Sequence, residues 1–482
     1  MPTDARAMAG RRVLVAGLGV SGRAATTVLR DLDAQVTTLD ESANDADLHE
    51  PASVVVGDHD LVLASPGWSP SVPILVAARD AGVPVWSEVE LAWLVRADRS
   101  DGPGDVAGPA PWLAITGTNG KTTTVGMVAA ICSAAGLDVP AVGNVGDPVV
   151  LAAREPSHHA LAVELSSFQL HHTYSMAAHS AVVLNVAADH LDWHGSFEEY
   201  AAAKARIYER AVVACVYPAG DAFVEGLVRE ADVADGALAV GLTLGAPGLG
   251  QLGLIDDVLV DRAFHADPGA RDRQSTAAEL GTLADLEHLA GPGGRLAPHI
   301  VADALAAAAL ARSLGVAAGA VRDGLRAYRP GAHRAELVAT QAGVAFVDDS
   351  KATNAHAASA SLAPLEAGSV VWIAGGLAKG ARFDELVAAR ADRLRAVVVI
   401  GTDQEPILAA LARHAPSIPV QRVDPSDTGS VMTRAVQLAR GLALPGDTVL
   451  LAPACASMDQ FDSYAQRGAA FARAVVGAPK DA

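Results

Sequence analysis

Lysine is nearly missing from this chain: five residues in 482, against 31 arginines. Four of the five, Lys121, Lys204, Lys351 and Lys379, stand inside short polar motifs; Lys480 lies in the C-terminal tail. Arg serves as the generic surface cation, so a retained Lys points to work that guanidinium cannot do. An ammonium is a compact point charge for phosphate oxygens, and its neutral amine can be modified covalently. Positive charge is scarce overall. The net charge of −19 excludes nonspecific nucleic-acid binding, which needs a basic surface. It still allows anionic substrates in local cationic pockets. Cysteine is scarce too: Cys132, Cys215 and Cys455 are far apart, odd in number and form no CxxC pattern. That excludes a disulfide framework and implies a reducing compartment. No apolar run reaches membrane-span length. Arg11-Arg12 opens an apolar stretch, but Gly17, Gly19, Gly22 and Arg23 interrupt it. Strand plus turn is therefore expected rather than a signal peptide. The expectation is a cytoplasmic protein without membrane insertion.

The length suggests about three domains. Arg12–Ala16 reads as a buried strand, followed by GLGVSG (Gly17–Gly22), a helix over 23–32 and a strand over 35–39 ending at Asp40. Strand signals recur at 61–65 and 83–86. The Gly/Pro/Asp-rich stretch from Asp98 to Pro111 reads as a linker. A second α/β unit begins at Trp112 and alternates to about Val240. Residues 241–298 are Gly- and Leu-rich and give no clear assignment. Helical stretches follow at 300–315 and 316–327, then a boundary at Tyr328–Gly331. Strands at 344–348, 370–374, 396–400 and 448–451 make a third α/β unit, closed by a C-terminal helix. The fold class is α/β in three consecutive domains: Rossmann-like (1–110), P-loop-type ATPase-like (111–330) and a second Rossmann-like unit (331–482).

GLGVSG fits G-x-G-x-x-G between strand and helix, with Asp40 where a ribose-binding acid would stand. Its physics is diphosphate binding on a helix N-terminus. That suits an NAD or a UDP-linked ligand equally. ITGTNGKTTT (Ile115–Thr124) also joins a strand to a helix. Gly117 and Gly120 shape the loop, Lys121 reaches β/γ phosphates, and the Thr122 hydroxyl suits Mg²⁺. Glu164, ending the apolar run ALAV, stands where a metal-binding acid fits. His190 and Lys204 follow in LNVAADHLDWHGSFEEYAAAKARIYE, Lys204 on a helix over 198–209. The pairs His158-His159 and His171-His172 lack i,i+4 ligand spacing and are expected at the surface. VDDSKATN carries Lys351, GGLAKG carries Lys379, and APACASMDQFDSYAQRG follows a further strand. All three fall beyond strand carboxyl ends, where open α/β sheets hold ligands.

In this order the motifs resemble the Mur ligases, ATP-dependent amide-forming enzymes of peptidoglycan precursor synthesis, over nearly the whole chain. TGTNGKTT is shared across that family and with folylpolyglutamate synthase. DSKATN and SMDQF-x5-RG point to the branch that accepts D-glutamate. The resemblance implies that UDP-MurNAc-L-Ala is held through Gly19, Val20, Ser21, Asp40 and Gly67. It implies ATP as co-substrate on Gly117, Thr118, Asn119, Gly120, Lys121, Thr122, Thr123, Asn144, His333, Arg334 and Asp349. It implies two Mg²⁺ sites, Thr122 with Glu164 and His190 with a carbamylated Lys204. Lys121, Glu164, His190 and Lys204 become the catalytic set. D-glutamate would meet Lys351, Thr353, Lys379, Ser457, Met458 and Tyr464. A monomer is expected. Three positions depart from the family pattern. Ile300 and Asp303 stand where an adenine-side motif has Asn, so adenine contacts there are weaker or supplied elsewhere. Leu377 replaces an Asp of some members, and Tyr464 a Phe. Three rival readings remain at this point: a Rossmann oxidoreductase, resting on GLGVSG and Asp40, a nucleotide-gated binding module without catalysis, and a different Mur ligase with another amino acid as acceptor.

Overall fold

The computed structural model describes residues 8–99, 108–291, 294–426 and 429–477. Lys480 and residues 100–107 of the linker lie outside them. The linker's ends pair as an isolated bridge between Asp98 and Pro109. Among the described residues no helix is long and apolar enough to cross a membrane.

Two compact units divide the chain: Met1–Asp285 with Ala302–Tyr328, and Leu286–Val301 with Arg329–Ala482. The first unit contains two sheets. In the N-terminal one, β1 (Arg12–Ala16), β2 (Gln35–Leu39), β3 (Leu61–Ala64) and β4 (Val85–Trp86) lie parallel in the order β2-β1-β3-β4. The larger sheet holds β5 (Trp112–Thr116), β6 (Ala141–Gly143), β7 (Leu161–Glu164), β8 (Ser180–Val183), β9 (Ala214–Pro218), β10 (Leu238–Leu242), β11 (Gln251–Ile255), β12 (Val258–Asp261) and β13 (Ala278–Thr282). Their order is β13-β12-β11-β10-β9-β8-β5-β7-β6. The unassigned stretch after Val240 therefore extends this sheet, with β12 antiparallel to both β11 and β13.

The second unit is built on β14 (Glu336–Gln341), β15 (Val344–Asp348), β16 (Val370–Gly375), β17 (Leu394–Ile400), β18 (Val420–Arg422) and β19 (Thr448–Leu451). Their order is β14-β15-β19-β16-β17-β18, parallel except for the β14–β15 hairpin. The central strands are continuous apolar runs such as VVWIAG because both faces are covered.

One apolar core joins the two sheets of the first unit: Val13, Trp86, Val89 and Leu91 belong with Trp112, Val149, Leu161 and Val163. Two glutamates on the helix Glu88–Leu94 add polar clamps across it. Glu90 accepts from the amides of Tyr174 and Ser175 and from the Ser175 hydroxyl, at 2.7–2.9 Å. Among the described residues Glu88 accepts only the Val150 amide, at 2.7 Å, and its Oε2 is buried without a hydrogen-bond partner.

Burial pushes the Glu88 carboxyl up to about 7, because a desolvated carboxylate is disfavoured. Unfolding returns it to about 4.5, so the folded chain binds more protons between these values. Stability should therefore fall as pH rises from about 4.5 through 7, by roughly 3 kcal/mol in total. Glu88→Gln keeps the neutral shape and should flatten that dependence in urea melts taken between pH 5 and 8. An unchanged slope in the variant would assign the pH dependence to other groups.

Candidate functional site

Each sheet presents its polar motifs at the carboxyl ends of adjacent parallel strands, and strand order explains which motifs meet. In the first sheet, β2, β1 and β3 are neighbours, so Asp40, the Gly17–Gly22 loop and Ser65–Trp68 come together. Gly17 adopts φ +94°, and a side chain there would collide with Ser65 and Trp68. Ser65 Oγ donates to Gly17 O at 2.7 Å. Asp40 Oδ2 accepts from Leu18 N at 2.7 Å, and Oδ1 accepts from Ser42 N, Ser42 Oγ and Ala43 N. Those donors hold its carboxyl far below the usual range. They also fill about four acceptor positions. Asp40 is thus a clasp between two loops, with little capacity left for a ribose hydroxyl. A cleft of about 700 Å³ opens here, lined by Asp40, Pro51, Gly67, Trp68 and Ile74 among others. Val20 is exposed at the start of the helix Val20–Asp31.

In the second sheet the neighbours are β8, β5, β7 and β6. The loop after β5 (Gly117–Gly120) is therefore flanked by Asn185, after β8, and by Glu164 and Asn144, at the ends of β7 and β6. Asn185 was not singled out in the sequence, yet it braces the loop: its Oδ1 accepts from Asn119 N at 2.9 Å and its Nδ2 donates to Asn119 O at 3.1 Å. Thr118 Oγ1 meets Tyr200 OH at 2.8 Å. Lys121 opens the helix Lys121–Ala134, where Thr122 and Thr123 also lie. Its Nζ donates to Gly117 O at 2.7 Å and Thr118 O at 2.9 Å.

Lys204, on the helix Phe197–Ala205, is 2% exposed and donates to the same Gly117 oxygen at 2.8 Å. Burial, then the Lys121 charge, push its pKa well below the usual lysine value; Asp189 and Glu164 act in the opposite direction. Glu164 is buried. Its Oε1 accepts from Asn144 Nδ2 at 2.8 Å and its Oε2 has no hydrogen-bond partner among the described residues. A buried, unsatisfied carboxylate oxygen fits a hard divalent cation. His190 has φ +53° and caps the short helix Leu191–His194. Its ring lies 4.8 Å from that of Phe168, and its Nε2 lies 3.7 Å from Asp189 Oδ2.

The His158-His159 pair is half-buried beside exposed Asp138, and the His171-His172 pair is less exposed than expected. His158 bonds Asp138 at 2.7 Å, His171 is half-buried, and His172 is buried with its pKa pushed down to about 3. The aromatic packing around Phe168 and Trp193, which draws in His171 and His194, is tertiary and invisible to spacing.

In the second unit, β15, β19 and β16 are neighbours, so the loops bearing Lys351 and Thr353, Ser457 and Met458, and Leu377 and Lys379 emerge side by side. Lys351 Nζ lies 4.1 Å over the Tyr464 ring. Ser457 is buried, whereas Met458 and Lys379 are exposed. His333 Nδ1 bonds Asp348 Oδ2 at 2.6 Å, so the first Asp of VDDSKATN takes the histidine. Asp349 instead accepts from Ala335 N at 3.2 Å. Burial raises the pKa of both aspartates. His190, His333 and Lys379 all have positive φ, a conformation costing about 1–3 kcal/mol for non-glycine residues and concentrated at functional sites. Of the departures, Asp303 lies against Gly120, where an added Cβ would strike its carboxylate. It therefore reaches the nucleotide loop despite replacing Asn.

Residues 115–241 match the family model of the Mur ligase middle domain, and residues 333–455 that of the Mur ligase glutamate ligase domain. The UDP-N-acetylmuramoylalanine–D-glutamate ligase of Streptomyces coelicolor is 55% identical, over 98% of this chain and 99% of its own. That of Thermobifida fusca is 50% identical over 97% and 98%. The chain belongs to the Mur ligase family. Membership removes the oxidoreductase reading of GLGVSG. Solved Mur ligases share the fold at low identity. The MurF ligase from Thermotoga maritima in complex with ADP is 17% identical, with a TM-score of 0.53 over 98% of this chain and 97% of that one. A pseudomurein peptide ligase type C from Methanothermus fervidus is 16% identical, with a TM-score of 0.53 over 92% and 96%. The Mur ligase fold and the family named from the motifs are therefore both found.

Proposed function

We propose that this Mur ligase joins D-glutamate to UDP-N-acetylmuramoyl-L-alanine with hydrolysis of ATP to ADP and phosphate, in peptidoglycan precursor synthesis. The observation that carries the reading is full-length identity to D-glutamate ligases, at 45–56% among the relatives compared. An L-alanyl carboxylate oxygen attacks the γ-phosphorus of ATP, the bond to the ADP oxygen breaks, and an acyl phosphate results. The D-glutamate amine then attacks the acyl carbon, loses a proton, and expels phosphate. No protein nucleophile is needed; positioning and charge supply the rate.

The roles divide by domain, with boundaries proposed at 1–110, 111–330 and 331–482. The UDP moiety is assigned to Gly19, Val20, Ser21 and Gly67, with Asp40 holding the first loop through the Leu18 amide and lining, with Gly67, the cleft that supports the assignment. ATP is assigned to Gly117–Thr123, Asn144, His333, Arg334 and Asp349. Lys121 leaves its loop carbonyls to meet the β/γ phosphates. Two Mg²⁺ ions are assigned, one to Thr122 and Glu164 and one to His190 and Lys204, the latter as a carbamate. Bound there, Mg²⁺ would offset phosphate charge. A buried, amine-favouring Lys204 supports the carbamate, since CO₂ reacts with the neutral amine. D-glutamate is assigned to Lys351, Thr353, Lys379, Ser457, Met458 and Tyr464. A monomeric, cytoplasmic enzyme completes the reading.

The test follows the oxygen. With UDP-substrate labelled by ¹⁸O in its alanyl carboxylate, one label should appear in released phosphate. Label retained wholly in the peptide or in unreacted substrate would contradict the acyl-phosphate route.

A further inference from the structure

Arg467 is 1% exposed, on the helix Tyr464–Val476 of the second unit. No salt bridge joins it to a carboxylate among the described residues. Its hydrogen bonds go to neutral acceptors: Nε to Ser350 Oγ at 3.0 Å, Nη2 to Ser350 O at 2.9 Å, and Nη1 to Cys455 O at 3.1 Å. Ser350 Oγ donates onward to Tyr464 O at 2.8 Å. A third segment closes on the same group. An added Cβ on Gly376, whose φ is +137°, would lie 3.2 Å from Nη1. Beyond Gly376, Leu377 and Ala456 exchange backbone hydrogen bonds at 2.9 and 3.1 Å.

One guanidinium therefore underlies the loops after β15, β19 and β16. These carry Lys351 and Thr353, Ser457 and Met458, and Lys379. Burying a cation without an anionic partner is costly, and packing alone could hold ordinary loops. A rigid planar fork differs from a lysine because it addresses several acceptors in fixed directions at once. Burial lowers its pKa to about 10, so it remains charged at neutral pH. None of its donors points to an open face: they are directed at loop backbone and one hydroxyl.

We propose that Arg467 is a positioning residue for the acceptor site, fixing the spacing of the three loops that bind the acidic amino acid without touching it. The inference rests on the D-glutamate reading above. Its test is steady-state kinetics with ATP, UDP-MurNAc-L-Ala and D-glutamate varied separately. Arg467→Lys should raise KM for D-glutamate about 30-fold, as expected from losing charged hydrogen bonds. The KM for the UDP-substrate should stay within about 2-fold, because its assigned loops are not tied to the fork, and the KM for ATP, whose assigned Asp349 precedes Ser350, should rise several-fold less than that for D-glutamate. Guanidinium ion at millimolar concentration should restore part of the D-glutamate affinity of Arg467→Ala. Should the Arg467 variants fail to fold, Ser350→Ala decides. It removes one acceptor of the fork and should raise the D-glutamate KM about 5-fold. An unchanged D-glutamate KM in a folded variant, or an equal rise in all three, would overturn the inference. Wild-type enzyme that ignores D-glutamate would overturn the acceptor assignment first, and this inference with it.

Discussion

Lys204→Arg should be nearly inactive although it keeps the positive charge. Lys204 is enclosed, and its amine meets the Gly117 carbonyl already held by Lys121. Two ammonium groups on one carbonyl oxygen in a buried setting repel each other, and Lys204, the more buried, gives up its proton more easily. The neutral amine's lone pair can then add to CO₂, with loss of a proton, giving a carbamate. The carbamate would put one negative charge, shared by two oxygens, near Glu164, and these hard oxygens would suit Mg²⁺ where an ammonium would repel it. Guanidinium stays protonated and cannot follow that course. Turnover of Lys204→Arg and Lys204→Ala should fall by about 10³-fold, the scale of a lost transition-state electrostatic contact. Acetate should restore part of the activity of the Ala variant by supplying a carboxylate in the vacated space. Wild-type kcat in Lys204→Arg, measured with a melting curve to verify folding, would show that a simple cation suffices.

Lys121→Ala should lower kcat on a similar scale, about 10³-fold, for a different reason. Its ammonium rests 2.7 and 2.9 Å from Gly117 and Thr118 carbonyls, a position from which phosphate oxygens can claim it. Removal takes away charge that develops its value during phosphoryl transfer. It also removes the neighbour that depresses the Lys204 pKa, so the carbamate should form less readily in the variant. Affinity for UDP-MurNAc-L-Ala should survive within about 2-fold, because Gly17–Gly22 and Asp40 belong to another sheet. Calorimetry on the UDP-substrate alone separates the two effects. Near-normal kcat would remove Lys121 from the mechanism.

Much of this architecture was legible because its strands are buried, apolar and sharply ended. Arg12–Ala16, Val344–Asp348 and Thr448–Leu451 have the bounds their patterns indicate. Short or half-exposed strands were not: Glu336–Gln341 and Val420–Arg422 lack a continuous apolar run, and pairing rather than propensity makes them strands. The Gly-rich stretch after Val240 conceals three strands for the same reason. The motif residues were visible because their chemistry is local in sequence. The braces were not. Asn185 meets Asn119 across 66 positions and Arg467 meets Ser350 across 117. His172 looked polar and is buried, since the surrounding aromatic packing comes from segments that spacing cannot relate. The backbone contacts of Asp40 with Leu18, Ser42 and Ala43 were likewise invisible in the sequence.

Acceptor choice tests the central claim most directly. Phosphate release from ATP should be followed with saturating UDP-MurNAc-L-Ala against D-glutamate, L-glutamate, L-lysine, diaminopimelate and L-alanine. The account predicts that D-glutamate supports the fastest turnover and forms the amide, with release at background when either the UDP-substrate or the acceptor is omitted. Faster turnover with L-lysine, diaminopimelate or L-alanine than with D-glutamate would contradict it.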